Sequence, residues 1–331
     1  MKRLLCAVAL TATCGNVLAT AVPFTPESDT QIVERLPGGA SAERQQLRQM
    51  RAQLQQQPDA LPLALDIAQR NVALARRYAD PRYLGYAEAA LGHWLQQSTP
   101  PAEVLVMQAI LLQAKHQFTA AEAQLQRAAK QQRNNPQIWL TLASIQQVRG
   151  DYVAARQSCQ RLLLSYDAGV AGDCLASVDA VNGRAREAQQ YWLQRLHSGQ
   201  APQWEQQWLT LQLAESGQRL GDVQQAQRWF AQAVSASSDS YDKAAYADFL
   251  LEQGKSAEVI QLLSDDTRAD PLLLRLAQAL QQSGDARAAA YIQQLAARFD
   301  ATRQRGDLSH LREEARFQLL LLKQPQRALQ L

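Results

Sequence analysis

Gly150 is followed five residues later by Ala155, and the pair recurs along the chain: Gly183 with Ala188, Gly221 with Ala226, and Gly284 with Ala289. Gly254 precedes Val259 at the same offset, and His116 takes the glycine place before Ala121. The steps between these turns are 34, 33, 38, 33 and 30 residues. A recurrence near this length predicts stacked helical hairpins. The glycine ends a first helix by turning left-handed without steric cost. The small residue, about one turn into the second helix, lets the two helices approach. Ala109, Ala143, Ala176 and Ala214 stand at the matching contact in the first helices, while Leu125, Trp192, Phe230 and Leu263 are placed to fill the space between hairpins. Cys159 shares their register. The composition agrees: 47% of residues are hydrophobic and only 6% aromatic, with Ala, Leu and Gln prominent, which favours helix over strand.

Trp139, Leu142, Ala143, Gly150, Tyr152 and Ala155 in one segment, and Ala214, Gly221, Ala226, Phe230 and Ala233 in another, fall in the order of the tetratricopeptide repeat. The chain resembles that family over roughly residues 103–300, and residues 61–97 look like a degenerate hairpin turning at Asp80-Pro81. The resemblance implies an all-α fold, an α-solenoid wound as a right-handed superhelix of about seven hairpins. It also implies a non-enzymatic protein that holds a protein or peptide partner in a concave groove lined by the first helices. The family's contact places fall on Gln137, Ser144, Gln147, Trp208, Glu215, Arg219, Tyr241, Asp248 and Glu252, with Gln278 and Gln281 beyond them. The lysine-and-asparagine clamp by which chaperone-binding members hold C-terminal carboxylates has no counterpart here. A second reading is an envelope assembly or trafficking factor that binds a glycan or lipid-linked ligand, with Trp208 and Tyr241 as the candidate rings. Arg149-Gly150-Asp151 spells an adhesion triplet, but its equivalents at the other turns mark it as a hairpin corner.

Lys2 and Arg3, the apolar run from Leu4 and the small residues up to Ala21 have the layout of a cleaved secretory signal over residues 1–21, cut after Ala21 or Ala19. Cys14 as a lipidated cysteine is the competing reading, which the preceding Thr11-Ala12-Thr13 fits poorly. Residues 22–40, with three prolines and Gly38-Gly39, read as an extended lead-in. The array then runs over 41–331, opened by Ser41 as the cap of a Gln-rich helix to about Gln57. The formal charge of +3 becomes +1 once Lys2 and Arg3 leave, so bulk charge gives no reason to expect nucleic-acid binding. No later run reaches the roughly 18 apolar residues of a transmembrane span. The expected address is the periplasm or the exterior. The last repeat is incomplete at Leu331, and the need for a polar capping helix predicts a continuing chain.

Cys159 and Cys174 remain after signal cleavage. Adjacent repeats bring their places together, either as a disulfide closing a loop of about 15 residues or as two buried thiols. His93, His116, His197 and His310 have no partners at ligand spacing, so no metal or other cofactor is expected. Asp265-Asp266 and Glu313-Glu314 read as solvated surface. The Asp80–Tyr86 stretch reads as a helix start with its tyrosines packed inward.

Overall fold

The turn glycines behave as their spacing predicts. In the computed structural model Gly150, Gly183, Gly221, Gly254 and Gly284 have φ between 69° and 85°, a region that L side chains resist. His116 (58°), Ala79 (47°) and Lys323 (56°) take the same conformation in hairpins without a turn glycine. The chain then folds back on the helix it has left. The Asp151 N–H donates to the Gln146 carbonyl and the Asp222 N–H to the Gly217 carbonyl, both at 2.9 Å. These aspartates cap the following helix, Asp151 accepting from the Ala154 N–H and Asp222 from the Gln225 N–H, each at 3.0 Å. Arg149 of the Arg-Gly-Asp triplet is tied to Glu122 at 2.7 Å. The triplet is a hairpin corner.

The structure describes Ser28 and residues 42–237, 239–304, 306 and 311–331. The expected signal 1–21, the lead-in 22–40, the Ser41 cap and His310 lie outside the described residues. The chain divides into two units, residues 1–46 and 47–331. In the first, the described structure is Ser28 and the opening of helix α1 (Ala42–Gln56). The second carries the rest of α1 and a series of hairpins: α2 (Leu61–Tyr78) with α3 (Arg82–Leu95), α4 (Ala102–Ala114) with α5 (Phe118–Gln131), and α6 (Pro136–Val148) with α7 (Tyr152–Ser165). There follow α8 (Ala168–Val181) with α9 (Ala185–His197), α10 (Gln203–Arg219) with α11 (Val223–Ala236), α12 (Ser240–Glu252) with α13 (Ser256–Leu263), and α14 (Asp270–Gln282) with α15 (Arg287–Gln304). A shorter eighth pair joins α16 (Leu311–Arg316), which runs into a π turn at Phe317–Leu321, to α17 (Pro325–Ala328). The fold is an all-α solenoid.

Small residues set the spacing within a hairpin and large ones fill the gap to the next. Ala121, Ala155, Ala188 and Ala226 are fully buried, as are Leu125, Cys159, Trp192, Phe230 and Leu263. Gly217 of α10 lies directly against the α11 backbone, where an added Cβ would stand 3.1 Å from the Ala226 backbone nitrogen. One register differs from the sequence reading. Ala288, not Ala289, is buried in α15. Arg287 grips the Asp285 carboxylate at 2.7 Å, and Asp285 accepts from the Arg287 N–H, two residues on, in place of the usual three. The first turn is tighter and the helix face rotates by one position. Glu313-Glu314 also departs from expectation. Glu314 is buried against Arg303, and Glu313 reaches the buried Arg275 at 3.3 Å, because α16 is packed on the preceding hairpin. Tyr83 is half-buried as expected, but Tyr86 is exposed beneath the Arg51 guanidinium.

Two cross-links act at longer range. Cys159 of α7 and Cys174 of α8 are bridged, with Cα atoms 5.5 Å apart. The end of α2 also meets the start of α12: the Ser240 hydroxyl donates to the Arg76 carbonyl at 2.5 Å, Arg76 pairs with Asp239 at 2.9 Å, and Ala79 packs on the core around Phe230. The first hairpin therefore touches the sixth. Among the described residues no helix is long and apolar enough to cross a membrane.

Ala226→Leu should overpack the α10–α11 contact and cost about 1–3 kcal/mol, read from the urea midpoint. Serine at both Cys159 and Cys174 should remove about 3 kcal/mol on the chain-entropy estimate for this loop. Equal midpoints for oxidised and reduced wild-type protein would contradict that.

Candidate partner-binding site

Polar side chains join consecutive first helices edge to edge. The Gln113 amide donates to the Ser144 hydroxyl at 3.1 Å, Gln147 to Ser177 at 3.2 Å, and Gln218 to Glu252 at 2.6 Å. Further along, Arg275 bridges Asp248 at 2.6 Å and Glu313, and Arg316 also reaches Asp248 at 2.6 Å. This ladder accounts for several of the residues picked from the sequence. Asp248 is a structural ion-pair partner, Glu252 is an exposed rung, and Gln137 bonds to Thr141 at the start of α6. Gln281 reaches the Leu321 carbonyl and Gln278 is half-buried.

The remaining predicted residues converge. A cavity of about 570 Å³ is lined from α6, α8, α10 and the start of α12, and Ser144, Gln147, Trp208, Glu215, Arg219 and Tyr241 all contribute to its wall. Gln137, Asp248 and Glu252 do not. Trp208 stands edge-on to the buried Trp192, with ring centroids 6.0 Å apart. Glu215 accepts from the Tyr241 hydroxyl at 2.9 Å and is paired with Arg219 at 3.4 Å. Cys174 lies in the same wall, so the disulfide fixes α8 where it borders the cavity. The rim is apolar: Val148, Val181, Trp204 and Tyr241 are large hydrophobic residues left exposed, Trp204 at 57% and Tyr241 at 55%.

Sequence reading missed the most unusual part of the wall. Asp173 of α8 is 4% exposed and Glu205 of α10 is 2% exposed, and both line the cavity. Arg195 of α9 lies 2.8 Å from Glu205 and 3.8 Å from Asp173, with Asp167 at 3.9 Å. Its N–H groups are poorly aimed, and none of the four oxygens of Asp173 and Glu205 has a hydrogen-bond donor. A proton relieves this. Burial, and then the hydrogen bond to Glu205, push the Asp173 carboxyl up to about 8. Tyr191 of α9 is raised in turn by burial and by Asp173. Two glycines make the arrangement possible. A Cβ on Gly169 would overlap the Arg195 guanidinium, and one on Gly172 would overlap the Tyr191 hydroxyl, which donates to the Gly169 carbonyl at 3.2 Å. Glycine inside a helix costs about 1 kcal/mol relative to alanine. Two of them three residues apart in α8 were the available signal of a close approach.

The raised carboxyl has a stability consequence. Asp173 unfolds to an ordinary carboxyl near 4, so the folded chain binds the extra proton between about 4 and about 8. Its contribution is complete below the unfolded value and is lost as pH rises through that window. Asp173→Asn should flatten this slope. Relative to wild type it should gain more than about 1.4 kcal/mol, the equivalent of one pKa unit, between pH 5 and pH 8. Parallel stability curves for the two proteins would show that Asp173 is not proton-linked.

By sequence, the chain matches no protein-family model and no curated protein. By structure, it is similar to yeast Tom70, with a TM-score of 0.54 and 14% identity, covering 86% of this chain and 62% of that one. It is also similar to a tetratricopeptide repeat protein from Parabacteroides merdae (TM-score 0.44, 15% identity, 70% and 92% covered). A third is PilW, a widely conserved type IV pilus biogenesis factor (TM-score 0.46, 18% identity, 60% and 94% covered). At these identities the likeness speaks to fold alone.

Proposed function

We propose that this tetratricopeptide-type solenoid is a non-enzymatic scaffold of the bacterial envelope, which binds a protein or peptide partner in the groove lined by its first helices. The observation that carries the reading is the single cavity wall shared by Ser144, Gln147, Trp208, Glu215, Arg219 and Tyr241, rimmed by exposed apolar residues. Exposed rings beside fixed polar groups are what a peptide groove needs, since the rings supply contact area at low entropic cost and the polar groups set register. Export is supported by the signal-like layout of residues 1–21 and by the Cys159–Cys174 bridge, a type of bond that persists in oxidising compartments. The exposed rings of Trp204 and Tyr241 favour a glycan or lipid-linked ligand as the second reading.

The test is a crosslinked capture from envelope extract with the chain from residue 22 onward, beside Trp208→Ala combined with Arg219→Ala. One dominant protein, reduced at least about tenfold in the double variant, is the expected result. Retention of that protein by the variant would remove the groove from its binding. An empty capture, together with saccharide-dependent quenching of tryptophan fluorescence, would favour the second reading.

A further inference from the structure

The cavity wall is chemically one-sided. Its charged lining residues are Asp173, Glu205 and Glu215 against Arg219 alone, and Arg219 is already paired with Glu215. Beneath the wall, Arg195 offsets one charge of the Asp173–Glu205 pair. Both carboxyls are more than nine-tenths buried, line the cavity and lack any aligned donor. A buried acid in this condition attracts a cation strongly, because little water screens the field. The same cavity is lined by Trp204, Trp208 and Tyr241, with Val148 and Val181. Such walls suit a side chain with an apolar stem and a positive head, with added attraction from the ring faces.

We propose that the cavity receives a basic side chain, lysine or arginine, presented by an extended segment of the partner protein, its charge facing the Asp173–Glu205 pair and its stem between Trp204, Trp208 and Tyr241. This rests on the groove reading above and names the chemistry of the segment that the groove selects. A further consequence is proton-linked binding. A cation placed opposite Asp173 favours its charged form, so binding at neutral pH displaces the proton that Asp173 holds. The groups that face this carboxyl are Glu205 from α10, Arg195 and Tyr191 from α9, and Asp167 ahead of α8. Arg195 is already engaged with Glu205 and leaves Asp173 as the group free to respond.

The probe is a set of short randomised peptide pools with lysine, arginine, norleucine or glutamate fixed at the centre, offered to the full chain at neutral pH. The lysine and arginine pools should be retained at least about tenfold better than the norleucine pool. That preference should disappear in Asp173→Asn and in Glu205→Gln. Retention of all pools should fall in Trp208→Ala combined with Arg219→Ala. Equal retention of norleucine and lysine, both lost in that double variant, would overturn the basic-side-chain assignment and leave the groove reading standing. A basic preference untouched by the double variant would place binding elsewhere and overturn both. Retention of no pool would overturn the assignment, while the envelope capture still judges the groove. Calorimetry of the best lysine peptide on wild-type protein, in buffers of different ionisation enthalpy, needs no variant. Proton release on binding is expected, and its absence would overturn the placement opposite Asp173.

Discussion

Four successive hairpins in this array depend on the closeness that alanine permits. Ala121, Ala155, Ala188 and Ala226 bring a second helix down onto its first, and Gly217 lets one pair approach further still. Only at that spacing do Trp192, Phe230 and Leu263 reach across to the following hairpin and become fully buried. A lone hairpin would leave those large side chains in water. Burial of one is worth about 1.5–3 kcal/mol, so stacking, not helix propensity, holds the elements in place. The first helices thereby come side by side, and the cavity between α6, α8, α10 and α12 is a product of that alignment.

Within this frame the polar groups divide into two kinds. Most are satisfied and structural: the Gln113–Ser144 and Gln147–Ser177 rungs, and the Arg275 bridge between Asp248 and Glu313. The Asp173–Glu205 pair differs: all four of its carboxyl oxygens are buried without aligned donors, beside an opening. The fold spends two glycines of α8, Gly169 in its first turn and Gly172 one turn on, to admit Arg195 and Tyr191 against that pair. Four unpartnered carboxyl oxygens beside an opening are a feature expected of a site, not of a frame.

The hairpins were legible in the sequence because the turn glycine and the small residue recur at a fixed offset, and each has a steric reason to be there. The Cys159–Cys174 contact followed from the same register. What escaped was set by neighbours distant in the chain. Glu314 looks solvated until α16 packs on the hairpin before it, and Ala288 takes the place of Ala289 where its N–H closes a tighter turn onto the Asp285 carbonyl. Family contact places selected six residues of the cavity wall, but Asp248 proved to be an anchor for α14 and α16. Asp173 and Glu205 carry no local pattern. Their meaning arises from three helices that meet around Arg195.

The meeting of α2 with α12 changes how such an array behaves as a physical chain. In a linear stack each repeat feels only its neighbours, so the ends fray first and unfolding travels inward like a zip. Here Ser240 and Asp239 hold the Arg76 end of the first hairpin, and Ala79 enters the core of the sixth. The exposed Arg76 ion pair is worth little by itself, but with the partly buried Ala79 and the Ser240–Arg76 hydrogen bond it joins segments 164 positions apart in sequence. Among the described residues the first hairpin is thereby coupled to the sixth as well as to its neighbour. Such a loop of couplings gives way more nearly all at once, and it closes slowly during folding, because the two segments must find each other across 164 positions of the chain.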